Sequence, residues 1–183
     1  FPLNFDERHN LSSTIDYRFD SGKSYTGPIV NGKKILENFG INLIVTAASG
    51  RPYTSKFKPT RFNSAGTVGS VNGSRLPWRF NVDFRIDKTF RLNPKAKSPL
   101  DVNVYFRVAN LLNRQNIVGV YGATGSPTDD GFLAFADGIA TIRQVAENGL
   151  DSQAYLDSYS WLVRDPNNFA QPRRLFVGAF LSF

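Results

Sequence analysis

The sequence has no cysteine, no methionine and a single histidine, His9. Without cysteine there are no disulfide scaffolds, thiol nucleophiles or cysteine-ligated metal sites, and one histidine makes a histidine-rich metal site or a histidine-based triad a poor reading. No stretch approaches the roughly 18 to 20 uninterrupted apolar residues of a transmembrane helix. The densest apolar run, Leu175 to Leu181, is far shorter. With no methionine and Phe1 in first place, the 183 residues read as a piece of a longer or processed polypeptide, so length bounds the domain count only loosely.

What is present is apolar and aromatic. The chain is 41% hydrophobic and 14% aromatic, with 16 Phe and 7 Tyr, too many large apolar groups for a disordered segment, yet the mean hydropathy is only -0.28. A net charge of +7 raises nucleic acid as a partner. The cations are spread and interleaved with acids, as in Arg79, Asp83, Arg85, Asp87 and Lys88, which is a patterned face and not a basic patch. Nucleic acid is therefore not expected.

The dominant period is 2. Trp78, Phe80, Val82, Phe84 and Ile86 alternate with Arg79, Asn81, Asp83, Arg85 and Asp87, the signature of a strand with one apolar and one charged face. After the link from Pro94 to Pro99 the pattern repeats, with Leu100, Val102, Val104, Phe106 and Val108 against Asp101, Asn103, Tyr105, Arg107 and Ala109. The two segments make a hairpin. If Phe90 lies opposite Leu100, Asp83 faces Arg107 and Arg85 faces Tyr105. Weaker alternation at Leu11 to Phe19, Phe39 to Ala48 and Leu175 to Phe183 brings the total to five strands, near 9–20, 37–48, 76–91, 100–121 and 173–183.

A soluble sandwich also alternates. Three features favour a membrane β-barrel, apolar towards lipid and polar towards the lumen. The strands approach the ~9 to 11 residues that cross a bilayer. Aromatics Phe19, Trp78, Phe90 and Phe183 stand at segment ends, where lipid interfaces are expected. Shorter links at 20–36 and 93–99 alternate with long ones at 49–75 and 122–172, as in barrels with short periplasmic turns and long extracellular loops. That parity places Phe183 at the periplasmic side and Phe1 outside. The expected fold class is thus all-β, an antiparallel transmembrane barrel segment spanning residues 1–183, with long extracellular loops, one partly helical.

The lumen-facing set is Arg79, Asp83, Arg85, Asp87, Asp101, Tyr105 and Arg107, readable as a wall contacting a plug or polar solute, or as a water-facing ladder that fixes register. In the long loop, Asp151 reads as the N-cap of a helix from Ser152 to Val163, with Tyr155, Leu156, Tyr159 and Leu162 at helical spacing, and a second helix spans Ile139 to Glu147. This loop is a lid or substrate platform, or its stripe packs it onto the barrel rim. Asp129, Asp130 and Asp137 are weak candidates for Ca²⁺, although their spacing does not fit an EF-hand. His9 reads as a hydrogen-bonding residue at a strand end. No carboxylate pair, phosphate loop or nucleophile elbow occurs, so no enzyme is expected.

Several runs carry a family resemblance: Asp6-Glu7-Arg8-His9-Asn10-Leu11, Ser49-Gly50-Arg51-Pro52-Tyr53-Thr54, Arg107-Val108-Ala109-Asn110-Leu111-Leu112-Asn113, and the terminal strand from Arg173 to Phe183. Together, and in this order, they resemble the last part of the TonB-dependent outer-membrane transporters, whose barrels have about 22 strands. The long loops and Asp129-Asp130-Gly131 look most like the large members with an appended carboxypeptidase-regulatory-like domain. In such proteins the closing Phe183, preceded by Val177, Ala179 and Leu181, would be the signal read by the barrel-assembly machinery.

The resemblance implies a Gram-negative outer membrane and uptake of a large nutrient such as a glycan, peptide or metal chelate. It implies as partners outer-membrane lipid, the remaining barrel strands and plug from the same or another chain, the TonB energy-coupling complex through an N-terminal region, and a surface lipoprotein or secretion-complex subunit. The family's signal peptide, TonB box and plug do not occur in these residues, so energised import cannot be argued from this segment by itself. Five strands are also fewer than the eight or so with which single-chain barrels begin. The alternative is a barrel serving as a structural or interaction partner of a surface or secretion assembly.

Overall fold

The computed structural model describes residues 2–92 and 99–183. The expected turn at 93–98 lies outside the described residues. Period-2 segments rich in β-branched and aromatic residues become strands, in chain order β1 (Asn10–Arg18), β2 (Ile29–Val30), β3 (Lys33–Lys34), β4 (Phe39–Ala48), β5 (Pro52–Tyr53), β6 (Lys56–Thr60), β7 (Asn63–Thr67), β8 (Ser74–Arg75), β9 (Arg79–Leu92), β10 (Leu100–Ala109) and β11 (Arg174–Ser182). Two helices, α1 (Ala136–Glu147) and α2 (Ser152–Leu162), lie between β10 and β11. Strand accounts for 41% of the structure and both helices sit in one connection, so the fold class is all-β.

The long strands form one five-stranded sheet in the order β1-β4-β9-β10-β11, and the pairs β9/β10 and β10/β11 are antiparallel. The short strands pair as β2/β3, β5/β8 and β6/β7. Among the described residues the sheet is open, because β1 and β11 each have a single sheet neighbour. No helix among them is long and apolar enough to cross a membrane, which says nothing about crossing by strands.

By contacts the chain divides into two compact units. One comprises Leu11–Ala47, Phe80–Arg114 and Gln171–Phe183, the sheet; the other comprises Phe1–Asn10, Ala48–Arg79 and Gln115–Ala170, mainly the long connections. The connection unit has its own core of Phe132, Tyr159 and Val163, with Tyr121, Leu133 and Tyr155 packed against it.

Two expectations require correction. The hairpin register is shifted by two residues: Leu92, not Phe90, lies opposite Leu100, so Phe90 pairs with Val102 inside the strand and not beyond its end. The strand expected over 100–121 stops at Ala109. Asn110 turns into the left-handed region at φ 54, which asparagine tolerates better than most residues. Its amide donates to the Arg114 carbonyl at 3.0 Å and the Gln171 carbonyl at 3.2 Å, and its side-chain oxygen accepts from the Arg114 amide at 3.0 Å. Those bonds consume the groups that a continuing ladder would need. Asn113, also left-handed, accepts from the Arg173 amide at 3.1 Å. The Asn110–Asn113 run is therefore a clamp that ends β10 and steers the chain into β11.

Candidate functional site

Alternation in β9 and β10 places Asp83, Arg85, Asp87, Asp101, Tyr105 and Arg107 on one face of the sheet, with Arg79 on the same face at the start of β9. The cross-strand partners differ from those expected. Arg107 lies opposite Arg85, and Tyr105 opposite Asp87. The expected contacts survive along the diagonal: Arg107 Nη2 lies 3.3 Å from Asp83 Oδ2, and the Arg85 guanidinium is 4.7 Å from the Tyr105 ring centre. A two-residue slip keeps every side chain on its face, so the chemistry tolerates what the pairing does not.

Asp87 is the centre of this face, its side chain only 4% exposed. A buried carboxylate costs several kcal/mol unless its lone pairs are satisfied. Here Arg18 Nη1 lies at 3.3 Å, Asn103 Nδ2 at 3.0 Å and Arg85 Nε at 3.6 Å. Asp83 accepts from Asn81 Nδ2 at 2.7 Å and from the Asn110 amide at 3.0 Å. Asp101 takes a bidentate pair from Arg91 at 2.9 Å each, the strongest geometry for such a pair. Asp16 binds Arg18 at 2.9 Å and Asn42 at 3.0 Å.

Aromatic rings extend the face towards β11. Tyr105 stacks on Phe180 with centroids 5.3 Å apart, and Arg107 and Arg174 lie over Phe176 at 5.7 and 5.6 Å. Gly178, opposite Tyr105, leaves room for the phenol, since a Cβ there would stand 2.5 Å from the hydroxyl. An open groove of about 430 Å³ crosses the face, lined by Asp16, Arg18, Asn42, Asp83, Arg85 and Arg107 among others. Its three arginines face the two lining aspartates and the buried Asp87 carboxylate beside Arg18 and Arg85, so it can hold water or a polar surface.

Arg18, Asp16, Asn42, Asn103 and Arg91 were absent from the expected set. Their strand parity marked them as polar-face residues, but their partners depend on how β1, β4 and β9 lie side by side, which no local pattern reveals.

The other face carries Leu11, Ile15, Tyr17, Phe90, Val104, Leu175, Val177 and Leu181, all exposed. Val177 lies opposite Phe106, Ala179 opposite Val104 and Leu181 opposite Val102. Phe183 follows β11 and is exposed. Phe19 packs edge-on against Tyr17 at 5.0 Å.

In the connection unit, Trp78 stacks on His9 at 5.9 Å with the rings 5° from parallel. His9 also exchanges backbone bonds with Ser49, its carbonyl accepting from the Ser49 amide at 2.8 Å and its amide donating to Ser49 Oγ at 3.0 Å. The first two sequence runs are thus joined in space. Asp6 pairs with Arg75, and Glu7 with Arg51 and Arg79, so Arg79 turns to Glu7 while Asp83, Asp87 and Arg91 of β9 pair with Arg107, Arg18 and Asp101 of other strands of the sheet. Gly50 passes so close to the Leu76 carbonyl that any Cβ would overlap it.

The three candidate calcium ligands have separate occupations. Asp129 Oδ1 accepts from the Gly131 amide at 2.8 Å and Asp137 pairs with Lys58 at 3.0 Å. Asp130 is buried and accepts from Tyr159 Oη at 2.5 Å, the Phe62 amide at 2.8 Å and the Phe132 amide at 3.0 Å. No cluster of three or more metal-ligating side chains occurs among the described residues. Burial, and then the bond to Asp130, hold the Tyr159 phenol well above its ordinary value; burial likewise raises Tyr121, beside Asp130 and Asp165.

Asp151 caps α2 as expected, accepting from the Gln153 and Ala154 amides at 2.8 and 3.2 Å, and α1 begins three residues earlier than expected, at Ala136. The Tyr155, Leu156, Tyr159 and Leu162 stripe divides: Tyr155 and Tyr159 join the unit's core, while Leu162 is exposed.

No protein-family model matches the chain, and comparison with curated proteins and with solved structures finds no match either.

Proposed function

We propose that this chain is a wall sector of an outer-membrane β-barrel, the C-terminal part of a TonB-dependent transporter taking up a large nutrient. The observation that carries the reading is the pairing of two opposite faces on one sheet. One face is a ladder of paired charges suited to water, and the other carries large apolar side chains, exposed at Leu11, Ile15, Tyr17, Phe90, Val104, Leu175, Val177 and Leu181 and buried at Val82 and Val108. In water that second face would be an aggregation surface; against lipid it is the expected exterior of a barrel strand. The free edges of β1 and β11 fit the same reading, since a barrel in hydrocarbon must pair every edge, and further strands would do so.

In this reading the polar face lines the lumen, Phe19 and Phe183 at strand ends meet the lipid interface, Phe90 inside β9 faces lipid, Trp78 stays with the connections, and those connections open to the cell exterior. The reading predicts detergent-dependent solubility and a folded band on unheated gels that shifts on boiling. Recovery of the chain as a folded, water-soluble monomer would contradict it.

The self-packed connection unit favours a second reading, a barrel whose loops dock an external assembly. Loss of partner binding with intact uptake after disruption of that unit would support it.

A further inference from the structure

We propose that the open groove beside the C-terminal end of α2 binds an acidic saccharide, a carboxylate-bearing sugar ring held by Trp161 and Arg164. The assignment rests on the transport reading for its biological role, though not for the binding itself. The groove measures about 570 Å³, within the size range of small-ligand clefts. It is lined by Phe62, Asn63, Tyr121, Trp161, Arg164 and Asn168 among others.

Three observations specify the ligand. First, Trp161 is 75% exposed while Tyr159 and Val163, on the inner side of the same helical turn, are 2% and 5% exposed. Two residues from each along a helix, the indole points away from the core, leaving a flat apolar ring at the mouth of a polar groove. Such a ring stacks on the C–H face of a pyranose. Second, the Arg164 guanidinium lies over that ring at 5.8 Å, and Arg164 makes no ion pair among the described residues. The neighbouring Asp165 is already committed to the Asn167 amide at 2.9 Å. A stacked guanidinium with an unpaired fork selects a planar carboxylate in bidentate geometry.

Third, the walls are braced before any ligand arrives. Tyr121 Oη donates to the Val163 carbonyl at 2.8 Å, Asn168 Nδ2 to the Pro127 carbonyl at 2.8 Å, and the Lys56 amide to the Gly122 carbonyl at 2.8 Å. Gly122 permits that last approach, because a Cβ would stand 2.7 Å from Lys56 Cγ. A braced cleft loses little entropy on binding.

The test uses the full chain in detergent with Trp78→Phe, which leaves Trp161 as the only indole of the original 2 Trp. Indole fluorescence is titrated with digalacturonate, with the neutral disaccharide galactobiose and with an acidic dipeptide. Digalacturonate should give a saturable change, the neutral sugar should bind at least tenfold more weakly, and the dipeptide should bind more weakly too. Arg164→Ala should lose at least tenfold, with Arg164→Lys intermediate.

Equal affinity for the two sugars, tighter binding of the dipeptide, or an unchanged titration in Arg164→Ala would overturn the assignment. So would an Arg164→Ala effect confined to the helicity of α2, which would mark the cation as a helix-end charge. Heat-modifiable migration is scored on the same sample. Binding without it overturns the barrel reading alone, and a heat-modifiable barrel with no sugar response overturns the groove alone.

Discussion

Leu181 in the last strand is 66% exposed, and Val177 four residues before it is 77% exposed; in α2, the larger Tyr159 is 2% exposed. Burying a Leu or Val side chain stabilises a fold by about 1.5–3 kcal/mol. The connection unit takes that gain and even supplies its phenol with a buried carboxylate. The sheet's outer face forgoes it along several strands, while its opposite face satisfies nearly every charge. One chain thus follows two sets of rules, and the difference is explained if the two regions meet different solvents. The proposed barrel would set water around the connections and lipid against the apolar row of the sheet.

The sharpest way to separate the two regions is Asp130→Ala. It strands the Phe62 and Phe132 amides and the Tyr159 hydroxyl, and should cost the connection unit about 3–5 kcal/mol. Hydrogen exchange should then rise across residues 122–170 while β9 and β10 amides stay protected. Equal loss in both regions would break the comparison.

Next in size is Val177→Arg. In a bilayer a cation at mid-depth on a lipid-facing strand costs about 2–4 kcal/mol. On an ordinary wet surface such a change stays within about 0.5 kcal/mol. Denaturant titration of vesicle-inserted chain distinguishes the two.

Alkali should weaken the connection unit through Tyr159. Because the Tyr159 phenol titrates above its ordinary value of 10.0 in the fold, the neutral form is the one the fold favours. That contribution is fully present below about pH 10 and is lost as pH rises through the folded value. Absorbance at 295 nm should show late phenol ionisation from Tyr159 and Tyr121, and Tyr159→Phe should remove the Tyr159 part of it.

The smallest effect expected is Asp151→Ala, about 1 kcal/mol from loss of the α2 cap. It should appear as faster exchange in the first turn of α2 with no change in the sheet.

What could be read from the sequence tracks how local the cause is. The faces of β9 and β10 are legible because alternation is a property of neighbours, and α2 is legible because Asp151 and the Tyr155–Tyr159 spacing lie within a few residues. The register slipped by two because alternation fixes the faces and not the pairing, and both registers keep the same faces. The end of β10 was missed because apolar residues continue past Ala109, whereas the stop comes from the left-handed backbone and side-chain bonds of Asn110. The Asp6–Arg75 and Glu7–Arg79 pairs join residues about seventy apart, and no periodicity reports such a meeting. The Asp130 site was visible only as an acidic turn; that Tyr159 would close over it follows from tertiary packing alone.

The most direct test of the central claim uses the absence of native cysteine. Single cysteines from Asp101 to Val108, spin-labelled in chain reconstituted into phospholipid vesicles, report access to oxygen, which concentrates in lipid, and to a water-soluble nickel chelate. The account predicts a period of 2, with oxygen favoured at Val102, Val104, Phe106 and Val108 and the chelate favoured at Asp101, Asn103, Tyr105 and Arg107. Chelate access at all eight positions, with no alternation, would contradict it.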